Sequence, residues 1–81
     1  MNNKNNMENI TVEKFLEKTK SKKYKQTCTD MSGISTMIEG KDISKSFRMD
    51  TLERISSYDD GSFILDYGVG IPKYLFKEIM A

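Results

Sequence analysis

Asp59-Asp60-Gly61 constrains this chain more than any other three residues. Aspartate tolerates bent backbone and glycine takes positive φ at no steric cost, so the triplet predicts a tight reversal. The residues after it, Ser62-Phe63-Ile64-Leu65-Asp66-Tyr67, are aromatic and β-branched, with Phe63, Leu65 and Tyr67 on one face. Before it, Leu52, Arg54, Ser56 and Tyr58 share a face, as do Ile55 and Ser57. The spacing predicts a β-hairpin near 52–67.

The chain has 81 residues, of which 37% are hydrophobic, so its core is only just sufficient and association would add buried area. A homodimer or an obligate partner is therefore expected. Composition predicts a flexible, Asn-rich leader over 1–9 and one small domain over 10–81, with Met1 or Met7 as the start. The single Cys28 forms no internal disulfide, and without histidine there is little to build a metal site from. A lone thiol, a polar N-terminus and no long apolar run predict a cytoplasmic protein with no membrane association. Net charge is +1, but residues 1–26 carry seven lysines against three glutamates. Positive potential is thus concentrated in one segment.

Two terminal helices are predicted. Val12, Phe15, Leu16 and Thr19 form a one-sided stripe over Thr11–Lys20, with Asn9 or Thr11 as cap. After Gly68 and Gly70, Pro72 suits a first helical turn, and Ile71, Leu75, Phe76, Ile79 and Met80 would form its apolar face. Phe15, Leu16, Phe63, Leu65, Leu75 and Ile79 are the expected core. Tyr24 to Gly40 fits two patterns. As helices, Tyr24, Cys28 and Met31 precede a Ser32-Gly33 turn and a second stripe of Ile34, Met37 and Ile38; as strands, Thr27, Thr29, Ile34, Thr36 and Ile38 are β-branched about the same turn.

Tyr24-Lys25-Gln26-Thr27-Cys28-Thr29-Asp30-Met31-Ser32-Gly33-Ile34-Ser35 resembles the Cro/repressor-type helix-turn-helix, with a Gln opening the second helix and a Gly-Ile-Ser turn. Ile38-Glu39-Gly40-Lys41 and Met49–Ile55 are similar to the segments that follow in that family, so the resemblance covers roughly 15–55. Ser35–Glu39 is shorter than a full recognition helix, and a hairpin at 54–67 lies outside that fold. A short helix-turn-helix followed by a hairpin is similar to the winged helices of small phage and plasmid regulators and conjugation accessory proteins. The resemblance implies an α+β, compact winged helix-turn-helix-like domain with N- and C-terminal helices.

It also implies a non-enzymatic, double-stranded-DNA-binding protein of a mobile genetic element, acting in transcription regulation or conjugation. Lys20, Lys22, Lys23 and Lys25 would meet the phosphate backbone, while Ser35, Thr36 and Lys41 would face base edges or phosphates. Arg48 and Arg54 would add contacts near the hairpin. The Asp59-Asp60 tip would be repelled by phosphate. The alternative is a small phage- or plasmid-encoded inhibitor, anti-CRISPR-like, that binds a host protein through adaptable methionine-rich surface; the chain holds six methionines. No nucleophile–base pair, phosphate loop or cofactor motif is present, so neither catalysis, nor a cofactor, nor a metal is expected.

Overall fold

The computed structural model describes residues 6–30 and 34–79. They build one six-stranded antiparallel sheet in the order β1-β4-β5-β6-β2-β3. The strands are β1 (Met7–Asn9), β2 (Lys23–Cys28), β3 (Ser35–Glu39), β4 (Arg54–Tyr58), β5 (Phe63–Asp66) and β6 (Tyr74–Glu78). Helix α1 (Val12–Thr19) carries the chain from edge strand β1 to β2, and a 3-10 turn (Gly40–Asp42) leads into the short α2 (Ile43–Ser46). Strands β4, β5 and β6 form a meander.

The winged-helix expectation is corrected. The chain is mostly sheet, with two short helices and no recognition helix among the described residues. Lys23–Cys28 and Ser35–Glu39 pair with each other as antiparallel strands, so the β-branched pattern prevails over the helical spacing there. The Ser32-Gly33 turn lies outside the described residues. The expected C-terminal helix is strand β6, hydrogen-bonded on both sides, to β5 and β2. Its sequence Tyr-Leu-Phe-Lys-Glu alternates, and cross-strand packing decides between the two periods it can satisfy. Within the stretch read as a leader, Met7–Asn9 pairs with Ser56–Tyr58.

The hairpin forms where the turn chemistry places it. Gly61 takes φ +90°, and its N–H donates to Tyr58 O at 3.0 Å. Asp60 Oδ1 closes the turn by accepting from the Ser62 N–H at 3.0 Å and the Ser62 hydroxyl at 2.6 Å. These two bonds hold its carboxyl below the usual carboxylate range, with Lys77's charge a smaller contribution. A depressed folded pKa adds stability above the unfolded value, and that stability is lost as pH falls through the folded one. Urea midpoints measured from about pH 5 down to about pH 2 should therefore fall less steeply in Asp60→Asn than in the wild type.

Helix α1 starts at Thr11, whose Oγ1 accepts from the Lys14 N–H at 3.1 Å. The stripe read from sequence faces the sheet, burying Phe15 and Thr19. Phe15 stacks edge-on against Phe63 at 5.1 Å and Phe76 at 6.1 Å. Tyr24 meets the same two rings, Phe47 packs edge-on against both Phe76 and Tyr74, and Tyr74 meets Tyr67 directly. Ile43, Ile55 and Leu65 complete the buried core. Of the expected core, Phe15, Phe63 and Leu65 are buried and Leu16 is half-buried. Leu75 and Ile79 are half-buried too. Leu75 and Ile79 alternate with Phe76 along β6, so they face away from the core. Burial pushes the Tyr24 phenol up to about 12, with Glu78's negative charge second.

Candidate nucleic-acid interface

Seven of the eight aromatic rings lie in that cluster, on the side of the sheet covered by α1 and α2. The opposite face carries no helix among the described residues. The pairing registers say which side chains it presents, since directly opposed residues of antiparallel strands point the same way. One row runs across all six strands: Asn9, Ser56, Ile64, Leu75, Thr27 and Ser35. It is neutral, with Ile64 and Leu75 half-buried at its centre.

The neighbouring row is basic in the middle. Lys77 on β6 sits directly opposite Lys25 on β2, and Lys25 sits opposite Met37 on β3. At the far end, Met7 faces Tyr58, the one aromatic outside the core cluster. Both lysines are exposed. Among the described residues the ion pairs are Lys22–Glu78, Lys23–Glu39, Lys45–Asp42 and Arg48–Asp50, so neither Lys25 nor Lys77 takes part in one. Like charges placed directly across two strands repel, and this pair costs the sheet stability unless an anion bridges it. Lys23, 3.9 Å from Glu39, flanks the row on one side, and Arg54, opposite Asp66, lies beyond the neutral row on the other.

The residues singled out from sequence are thereby divided. Lys23, Lys25, Ser35 and Arg54 all lie on the open face, the first three together on β2 and β3 and Arg54 three strands from β2. Lys22 points to the helix side, where its Nζ lies 3.5 Å from Glu78. Thr36 also points there and donates to Gln26 Oε1 at 3.2 Å. Lys20 follows the end of α1, and Lys41 sits in the 3-10 turn. Arg48 is held by Asp50, through Nη2 at 3.1 Å and Nε at 3.4 Å, and its guanidinium keeps the Asp50 carboxyl below its usual range. Lys77, Leu75 and Ile64 are members of the face that sequence reasoning missed. The signal was the two-residue alternation Lys73, Leu75, Lys77 against Tyr74, Phe76, Glu78.

A cleft of about 410 Å³ lies on the other side, bordered by Lys18 and Lys22 but also by Glu8, Asp59 and Glu78. Its charge is mixed, and it brings together no nucleophile with a base. No cluster of three potential metal ligands occurs among the described residues, and no helix there is long and apolar enough to cross a membrane. Comparison of the chain with protein-family models, curated proteins and solved structures finds no match.

Proposed function

We propose that this is a non-enzymatic DNA-binding protein of the regulatory or accessory kind, which meets the duplex with the open face of its sheet. The observation that carries the reading is the opposed pair Lys25 and Lys77 on a face no described helix covers. Across the six strands that face presents four cations, Lys23, Lys25, Arg54 and Lys77, against two carboxylates, Glu39 and Asp66. A phosphate lying between the two lysines turns their mutual repulsion into two attractions.

The aromatic distribution favours a duplex over a single strand. Single-stranded nucleic acid is held largely by bases stacked on exposed rings. Here the face offers Tyr58 alone, and the aliphatic Ile64 and Leu75 occupy its centre. Lysines that touch the backbone position a duplex without such a platform. The acidic tip Asp59-Asp60 lies at the Lys77 end of this face, where the charge of Lys77 acts on Asp60, and the Asp60 carboxylate is already engaged by Ser62. Binding of a labelled random duplex at about 50 mM salt, where electrostatic affinity is strong, tests the reading. Absence of binding under those conditions contradicts it.

A further inference from the structure

We infer that two copies of this chain pair through strand β3, edge to edge and antiparallel about Met37, joining their sheets into one. The direction of the main-chain groups follows from two hydrogen bonds at the ends of the strands. Gly40 N–H donates to Lys22 O at 2.7 Å, and Ile79 N–H donates to Lys23 O at 2.9 Å. Alternation along β2 then turns Tyr24 and Gln26 towards β3, and Lys23, Lys25 and Thr27 towards β6. On β3, Ile38 and Thr36 opposite Tyr24 and Gln26 bond inward. Ser35, Met37 and Glu39 therefore hold their N–H and C=O groups outward, at the sheet edge.

Among the described residues the one charge on this edge is Glu39 at its end, which Lys23 approaches at 3.9 Å. Natural edge strands are kept from pairing by lysine, proline, a bulge or short length. Ser35-Thr36-Met37-Ile38-Glu39 has no lysine and no proline, and its register with β2 is unbroken over five residues. The opposite edge, β1, has only three. Met37 is 63% exposed and Ile34, just before the strand, 54%.

The occupant is a second copy because the edge complements itself. The three outward residues are symmetric about Met37, so an antiparallel copy matches Met37 with Met37, and Ser35 with Glu39 twice. All outward donors and acceptors are then satisfied, by about six main-chain bonds, and no like charges meet. On the helix side Thr36 falls opposite the copy's Ile38, beside a groove of about 360 Å³ bordered by Thr36, Ile38, Asp42, Ser46 and Phe47. At one bond per about 100–200 Å², six bonds suit a small interface of ~600–1,200 Å² in total. Such an interface is weak, with dissociation in the range of roughly 1–100 μM.

Pairing of this kind keeps both open faces on one side. The row Lys77, Lys25, Met37 then continues into Met37, Lys25 and Lys77 of the copy, with the two Lys25 positions three strand spacings apart, about 14 Å. The pairing stands independently of the nucleic-acid reading, because its readout is mass.

Sedimentation equilibrium of the full chain from about 1 to about 300 μM tests it, a span that brackets the expected dissociation constant. The wild type should rise from the monomer mass towards twice that value. Met37→Pro should remain monomeric while keeping its fold, since the Met37 N–H is not used within the sheet. Met37→Lys, which sets two cations against each other at the symmetry axis, should also remain monomeric and decides the question if the proline variant does not fold. A wild type that stays monomeric throughout overturns the inference, and so does a dimer that survives both substitutions.

Discussion

Gly40→Ala should abolish the fold or leave it marginal. A Cβ at that position would stand 1.6 Å from the Thr19 carbonyl oxygen and 3.0 Å from the Lys22 carbonyl oxygen. Both are main-chain atoms, so no flexible side chain can swing aside. The Gly40 N–H already donates to Lys22 O at 2.7 Å, and the Lys22 N–H donates to Thr19 O at 3.0 Å. This corner locks the end of α1 to the end of β3, and added bulk separates the two. Overpacking against side chains costs about 1–3 kcal/mol, and a clash with fixed backbone should reach ~3 kcal/mol or more. A domain of 81 residues has only about 4–12 kcal/mol in all. Gly70→Ala is the control: its φ of +84° is strained for alanine, but nothing lies within 4 Å, so about 1–2 kcal/mol is expected. Urea unfolding followed by circular dichroism separates the two.

Lys77→Glu should produce opposite changes in stability and binding. Opposite Lys25 it replaces a repelling cross-strand pair with an attracting one, a gain of up to about 1 kcal/mol that the loss of Lys77's favourable charge beside Asp60 offsets in part. On the proposed reading it also takes one cation away from the phosphate backbone and puts a negative charge in its place. Duplex affinity at low salt should fall on the order of tenfold or more. Thermal midpoint and duplex affinity measured on the same preparation show both changes. A drop in stability together with affinity would mean that the substitution acts by damaging the sheet.

How far the sequence could be read depends on how many periods each segment satisfies. The hairpin was legible because Asp59-Asp60-Gly61 permits little else and both flanks alternate. Helix α1 was legible because its stripe, cap and charges agree. The segment 73–79 was not, since Leu75, Phe76 and Ile79 fit a helical face as well as Leu75 and Ile79 fit one side of a strand. Its strand identity comes from β5 and β2 lying on either side, partners about 10 and 50 residues away that no local pattern reveals. The same blindness affected the site. Lys25 was visible as part of a lysine cluster, but its neighbour Lys77 belongs to the far end of the chain, and only the sheet register joins them. Lys22, adjacent in sequence to Lys23, points to the other face because strand side chains alternate.

The salt dependence of duplex binding tests most directly whether the open sheet face is the DNA-binding surface. The slope of log affinity against log salt should be measured for the wild type, for Lys25→Ala with Lys77→Ala, and for Lys18→Ala with Lys41→Ala. The first pair removes charge from the open face, and the second removes equal charge elsewhere. The slope should become shallower by about 0.9 for each phosphate no longer neutralised, so by about 0.9 for the one phosphate that the open-face pair brackets, and stay unchanged for the other pair. Equal flattening by both pairs, or flattening by the Lys18 and Lys41 pair alone, would contradict the assignment of the open face.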